Sequence, residues 1–446
     1  MPAFIRNISP RAAIGDAAAA DRLLSAAASG AVLLLPLALL YARAIGDVVL
    51  TAIGVLFLIR SAVSRDWTWL RTPWTRLALL LWGWMLLCTL VGGNRPAIVQ
   101  ALVALRFFIL LPALETWVLA DSRMRQRLWY VILAAGLWIL VEVWQQYILG
   151  TNIFGYPRWL DGALTGPFRG PVAGQTLLWL FFPAFLPLSF LLLKRTGRLE
   201  RLCGVALLVL AAATMILIGQ RMPTLLMALG LCISGLLFRQ VRLPVLLALA
   251  VSGVVLALLP IVSPPTFAKL VLRFTDQMQH FWDTQYGLIF GRAVTMVQAH
   301  PWLGLGWDGY RDFCMAPQYL TGVSWLPIGN PADALGCSIH PHNYWLQVAT
   351  DAGLPGLALF AALIGVWLWR LGRGGAGCRG NDRQAALLVI LFVMMWPIAS
   401  ATSLFTVPNA GWVFLMAGWG LAEAWAGSAY SATRVVAGDR GPEPVG

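Results

Sequence analysis

Charge is scarce in this chain: Asp, Glu, Lys and Arg together make up 11% of its 446 residues, where a soluble domain carries about 25%. That scarcity excludes the water-soluble globular class. With 59% hydrophobic residues and a mean hydropathy of +0.75, it implies a chain whose solvent is the bilayer. No short apolar core with a small-residue cleavage site precedes the first hydrophobic run, so the N-terminus, with Arg6, Arg11 and Arg22, reads as a cytoplasmic tail and not as a cleaved signal. No basic patch interleaved with aromatics falls on a soluble domain, which excludes a nucleic-acid partner. Histidine is nearly missing too. The four present, His280, His300, His340 and His342, all fall in the only long hydrophilic stretch between hydrophobic spans. Imidazole is the side chain best suited to moving protons near neutral pH, so this confinement points to a membrane enzyme and not to a passive anchor.

What the chain has in abundance is long apolar runs. Gly174–Leu193, Leu202–Gln220, Met222–Phe238 and Leu243–Ala268 are uncharged, or nearly so, over lengths close to the ~20 residues a helix needs to cross the hydrocarbon core. Barrels lack such runs, so the spans are helices. About twelve spans are expected, near 24–43, 45–62, 74–93, 97–119, 126–148, 174–193, 202–220, 222–239, 243–263, 350–370, 384–404 and 410–427. With the N-terminus inside, 22 of the 32 basic residues fall on the cytoplasmic side, nine fall outside and Arg106 falls within a span. The positive-inside rule therefore favours an even number of spans with both ends cytoplasmic. The net charge of +13 is mostly this topogenic signal. The expected organisation is a tail over 1–23, nine spans over 24–263, an outer segment over 264–343, three spans over 344–427 and a C-terminal tail over 428–446. The class is an all-α polytopic integral membrane protein with one long outer segment, periplasmic in a bacterium.

Within the outer segment, Phe267–Met278 and Thr284–His300 carry apolar residues at helical spacing with Lys269, Arg273 and Arg292 interspersed, the pattern of amphipathic helices at a membrane surface. The glycines and proline of His300-Pro301-Trp302-Leu303-Gly304-Leu305-Gly306-Trp307-Asp308-Gly309-Tyr310 demand turns. The GxGxxG within it follows no strand, which argues against nucleotide binding. Cys314 and Cys337 share the segment and are either bonded, as an oxidising compartment allows, or two packed thiols. Arg106, Glu115 and Glu142 lie inside spans, where a charge is costly and should meet a partner. Asp47 follows Arg43 by four residues, which suggests a local ion pair.

Three sets of residues carry a resemblance: Gly219-Gln220-Arg221; Arg292 followed by His300-Pro301-Trp302-Leu303-Gly304-Leu305-Gly306; and His342-Asn343 followed by Leu346-Gln347 and Gly353-Leu354-Pro355-Gly356. In these the second half of the chain resembles the O-antigen ligase and polymerase superfamily, GT-C-type membrane glycosyltransferases of the bacterial inner membrane. The resemblance implies an undecaprenyl-diphosphate-linked glycan as donor and a sugar hydroxyl of lipid A-core as acceptor. Transfer would be inverting, at the periplasmic face, without metal or other cofactor; the outer loops contain no Asp-x-Asp with which to hold one.

Two tasks follow from that chemistry: deprotonating the acceptor and neutralising the leaving diphosphate. Neutral imidazole suits the first and guanidinium the second. His342, which precedes Asn343 as the family pattern has it, is the first candidate for the base, and His340 is the second. Pro341 and Asn343 also read as a helix start that the histidines merely flank. Spacing of two on a Pro-containing turn lacks the remaining ligands of a zinc site, and His280 and His300 read as solvated or structural. Arg221 and Arg292 are the candidates for the diphosphate, with Gln220, Asn343 and Gln347 as motif support. The alternatives are an Arg snorkelling at the interface and an Arg facing anionic lipid. A polymerase extending the lipid-linked glycan, and from another class a transporter, remain open. A protein-modifying relative is disfavoured by the short stretch after the last span.

Overall fold

The computed structural model describes residues 10–92, 95–320, 322–323, 325–327, 337–373 and 381–438. Arg6, named above for topology, lies outside these. Among the described residues the regular structure is helical, apart from one two-residue antiparallel ladder, β1 (Gly322–Val323) with β2 (Leu326–Pro327), and an isolated bridge between Thr151 and Pro157.

Nine helical stretches among the described residues are long and apolar enough to cross a membrane. They begin with α1 (Pro10–Tyr41), α2 (Arg43–Ser64) and α3 (Pro73–Gly92). The fourth crossing is broken into α4 (Arg95–Val103), α5 (Leu105–Pro112), a π turn over Ala113–Trp117 and a 3-10 turn over Val118–Ala120. Then come α6 (Ser122–Leu149), α7 (Ala173–Leu193), α8 (Arg198–Ile218), α10 (Arg242–Val262) and α15 (Tyr344–Gly372). The apolar helix α9 (Arg221–Leu237) is shorter, at 17 residues. Where a span was expected over 384–404, α16 (Asp382–Met394) stops and an irregular segment runs to α17 (Val407–Gly438). Backbone groups released at membrane depth must find partners inside the protein, and these do, as described below. α17 extends into the stretch read as the C-terminal tail.

Burial separates the helices. The most apolar window of α7 is 78% buried and that of α10 only 17%, so α7 is central, packed against α6, α8 and α16, while α10 lies at the rim. The charges expected inside spans, Arg106, Glu115 and Glu142, find partners, though not always ionic ones. The Glu115 carboxylate accepts from Trp74 Nε1 at 2.6 Å and Trp425 Nε1 at 2.7 Å, and Glu142 accepts from the Ile153 N–H at 3.2 Å. Asp47 pairs with Arg106 at 2.8 Å. The expected local pair with Arg43 is thus corrected: the carboxylate of α2 turns toward a cation on the neighbouring fourth crossing.

The outer segment folds over one end of the bundle as α11 (Pro264–Phe267), a π turn, α12 (Arg273–Gln279), α13 (Gln285–Ala299) and α14 (Gly309–Phe313). Thr284 caps α13 by accepting from the Gly287 N–H. The helix is amphipathic as expected, burying Leu288, Ile289, Ala293 and Met296 and packing on α15. Cys314 and Cys337 are disulfide-bonded, with Cα atoms 5.6 Å apart.

Candidate active site

The glycines of the outer segment are explained by how it docks. α15 is kinked at Gly353 (φ +65°), and Pro355 has no N–H to give to the Asp351 carbonyl. Gly306 N–H takes that carbonyl at 3.0 Å, Leu305 N–H takes Thr350 O at 2.8 Å, and Leu354 N–H turns to Pro301 O at 2.7 Å. The two backbones meet so closely that a Cβ at Gly304 (φ +63°) would lie 2.6 Å from the Ala352 nitrogen. The GxGxxG pattern is therefore a backbone-to-backbone joint between the 301–306 turn and the kink of α15. It carries Trp307, Asp308 and Tyr310 into place.

Beside this joint a cavity of about 1680 Å³ opens, lined by residues from α1, α7, α9, α17, the outer segment and the 396–406 connection. One part of its wall is basic. Arg221, the first residue of α9, donates from Nε to Lys269 O at 2.9 Å and from a terminal nitrogen to Gln277 Oε1, with its guanidinium 5.9 Å from the Phe274 ring. Lys269 and Arg273, read from sequence only as charges of an amphipathic helix, line the same wall. Lys269 pairs with Asp161. Burial alone would raise the Asp161 carboxyl, but the hydrogen bonds from Lys269 and the Ala163 N–H and the nearby cations hold it below its ordinary value. Gln220 lines the cavity too, and ties α9 to the start of α7 by accepting from the Gln175 N–H and donating to Pro171 O.

His340 and His342 both face the cavity, ring centroids 4.3 Å apart. His340 is 7% exposed, and neither of its ring nitrogens has a partner among the described residues. Burial, helped by repulsion from the His342 ring whenever that ring is protonated, pushes its pKa down to about 4. His342 sits in the left-handed region at φ +51°, with Nε2 3.2 Å from Ser338 Oγ and Tyr286 edge-on at 5.5 Å. Burial lowers its pKa as well, against an opposing backbone hydrogen bond with Ala401. Both imidazoles are thus kept neutral at neutral pH.

Asn343 and Gln347 do not line the cavity; they build it. Asn343 Oδ1 caps α15, accepting from Trp345 N–H at 2.9 Å and Leu346 N–H at 3.0 Å. Its Nδ2 donates to Pro397 O at 2.6 Å and Ala399 O at 3.1 Å. Gln347 donates to Ser403 Oγ at 2.9 Å and accepts from Leu404 N–H at 2.8 Å. The helix-start reading of Asn343 and its place in the motif are two aspects of one role: these amides hold the irregular α16–α17 connection against the histidines.

Arg292 is placed elsewhere. It is 0% exposed within α13, donates to Cys337 Sγ at 3.2 Å, and is not among the residues lining the cavity. His300 bonds the Tyr319 hydroxyl at 2.7 Å and His280 is exposed. Sequence reasoning missed the 396–406 connection, whose Ser400, Ala401, Thr402, Phe405 and Thr406 line the cavity. It also missed the 150–172 loop, which Gln146 knots by donating to Tyr156 O and Pro157 O and accepting from Thr165 N–H and Gly166 N–H. The run of hydroxyl residues around Pro397 was the available signal, and it was absorbed into an expected span.

The fold and site define a polytopic membrane protein with a large, partly basic cavity holding two neutral histidines at one end of its helix bundle. Residues 206–361, a stretch running from α8 into α15 that contains Arg221, Arg292 and the histidine motif, match the family model described as O-Antigen ligase (Wzy_C). No curated protein matches the chain.

Proposed function

We propose that the protein is an O-antigen ligase that transfers a glycan from undecaprenyl diphosphate to a sugar hydroxyl of lipid A-core at the periplasmic face of the bacterial inner membrane. The observation that carries this is the shared cavity, with a guanidinium wall and a pair of neutral imidazoles inside a stretch matching the ligase family. His342 takes the proton of the acceptor hydroxyl, and the oxygen attacks the anomeric carbon from the face opposite the diphosphate. The bond from that carbon to the diphosphate oxygen breaks, and undecaprenyl diphosphate leaves with the electron pair. Arg221 meets the charge that develops there, helped by Arg273; guanidinium keeps its charge at any relevant pH and matches phosphate oxygens with two donors. On this reading no metal is needed. His340, unpartnered and neutral beside His342, hydrogen-bonds the incoming acceptor. The apolar residues below Arg221 on α9, Met222, Leu225 and Leu229, suit a prenyl chain entering from the membrane. Arg292 acts through the disulfide-bearing wall and not on the diphosphate directly.

The test is transfer by purified protein in detergent with chelator, from undecaprenyl-diphosphate-linked glycan to lipid A-core. Wild type should form product. His342→Ala should bind donor without reacting it, and Arg221→Ala should lose on the order of 10²-fold in donor use, as for removal of one charge-stabilising donor. Full transfer by His342→Ala would remove the base assignment. Longer lipid-linked chains in place of lipid A-core product would indicate a polymerase, and no product of either kind would favour transport.

A further inference from the structure

The chemistry of the cavity is divided. Arg221, Lys269 and Arg273, from the start of α9 and residues 269–273 of the outer segment, form a cationic stretch of its wall, and Arg43 is a further cation of the lining, whereas the stretch made by Asp308 and the α16–α17 connection offers a carboxylate, hydroxyls and aromatic rings. His342 stands between the two. On one side its ring meets Tyr286 of α13 at 5.5 Å. On the other its backbone carbonyl accepts from the Ala401 N–H at 2.7 Å, so Ser400 and Thr402, both lining the cavity, flank the residue that anchors it.

We infer that Trp307, Asp308, Ser400, Thr402, Phe405 and Thr406 form the subsite that binds the acceptor's sugar ring, an inference that rests on the glycan-transfer reading above. Each side chain has a capacity to spare of the kind a sugar uses. Thr402 Oγ1 accepts from Asn409 Nδ2, which leaves its proton to donate; Thr406 Oγ1 donates to Ser403 O at 2.9 Å, which leaves its lone pairs to accept. A sugar hydroxyl both donates and accepts. Trp307 and Phe405 pack with ring centroids 4.7 Å apart, an apolar surface for the C–H face of a pyranose, as small-molecule sites combine aromatic lining with a few placed polar groups. Asp308 holds φ +58°, a conformation uncommon outside glycine that Asp is among the residues able to adopt. The turn that fixes it is pinned by the Trp307 N–H on Thr89 Oγ1 at 3.0 Å. Its carboxylate can accept from two neighbouring hydroxyls and repels a phosphate. Arg311 is the cation that also lines this wall, and its charge is opposed by Asp308. A polyhydroxylated ring fits these groups; the diphosphate fits the opposite wall.

The experiment is two-substrate kinetics on the purified full chain, varying lipid A-core and undecaprenyl-diphosphate-linked glycan separately for Thr402→Val, Thr402→Ser, Asp308→Asn and Phe405→Leu, with His342→Ala alongside. Thr402→Val and Asp308→Asn should raise the KM for lipid A-core about 10-fold, the upper range for one lost hydrogen bond, with the donor KM unchanged. Thr402→Ser, which keeps the hydroxyl, should restore it. Phe405→Leu should raise the acceptor KM without touching a polar group, and thermal unfolding separates a folding defect from a binding one. If His342→Ala is dead while these variants leave the acceptor KM unchanged, or raise both KM values alike, the subsite is wrong and the glycan-transfer reading stands. If His342→Ala is fully active, that reading itself fails.

Discussion

Asn343 Nδ2 donates to the carbonyl of Ala399 at 3.1 Å, 56 residues further along the chain, while Oδ1 of the same side chain caps α15. One amide therefore fixes both the helix that follows the histidines and the irregular segment that faces them. A carboxylate could do the first and not the second.

Asn343→Asp should accordingly keep the helix cap and release the 397–399 segment. It leaves two carbonyls facing an acceptor, at about 1–3 kcal/mol for each buried group left unsatisfied. Transfer should fall about 10²-fold, the scale of a small misplacement of catalytic groups. Asn343→Ala should lose a further ~0.5–2 kcal/mol of cap energy. Thermal unfolding and transfer rates, measured together, separate the two effects; full transfer by Asn343→Asp would show that the amide donations do not hold the segment.

The joint between the 301–306 turn and α15 leaves no room for a side chain. Gly304→Ala places a methyl 2.6 Å from backbone atoms of residues 350–352, and Gly353→Ala does the same against Trp302, both at positive φ. Each should lower the unfolding temperature and abolish transfer. Gly365→Ala, on the same helix with nothing within 4 Å, should leave transfer intact and gain up to about 0.5–1 kcal/mol of helix stability. Equal effects at Gly304 and Gly365 would refute the joint.

The helix bundle was legible because lipid allows a chain few solutions: apolar runs of the right length become helices, and nine of the expected spans coincide with long apolar helices. His342 and Arg221 were legible as chemistry-bearing residues in the motifs of the resemblance, and His340 as the second candidate two residues away; the structure brings all three to one cavity. Arg292 carried the same signals, a cation in a motif on an amphipathic helix, yet its side chain is buried. Periodicity assigns a residue to a face and leaves open whether that face meets solvent, lipid or protein. The span expected over 384–404 failed for a different reason. Hydropathy registers the apolar side chains around Pro397 but not that Asn343 and Gln347, some fifty residues earlier, supply the hydrogen bonds that let the backbone leave the helix. Long-range side-chain to backbone pairing has no signature in a hydropathy window.

The pH response follows from the two imidazoles. Burial puts His340 at about 4 and His342 below its ordinary 6.5, whereas both return to about 6.5 in the unfolded chain. Between these values the unfolded chain binds more protons than the folded one, so stability is fully present above pH 6.5 and is lost as pH falls from there toward 4. The unfolding temperature should therefore drop on acidification through that window, and His340→Gln should flatten the dependence. Transfer should hold its neutral-pH rate until His342 protonates, below 6.5. An unfolding temperature that rises on acidification would contradict the assignment of both rings as neutral.

The disulfide offers a test of orientation as well as stability. Cys314 and Cys337 are 23 residues apart in sequence, so closing that loop stabilises by about 3 kcal/mol on the chain-entropy account. The bridge also holds the residue that Arg292 touches and that leads into Ser338 and the histidines. Replacing both cysteines by serine should lower the unfolding temperature and reduce transfer, while leaving the helix bundle assembled. Disulfides persist only where the compartment is oxidising, and Cys88, Cys203 and Cys232 are free thiols. In intact cells a maleimide that cannot cross the inner membrane should therefore label Cys314 and Cys337 only after reduction. Labelling without reduction would mean that the bond does not form in the cell. If the pair stays unlabelled after reduction and reacts only once the inner membrane is opened, the histidine end of the bundle faces the cytoplasm, and ligation at the periplasmic face is ruled out whatever the chemistry of the cavity.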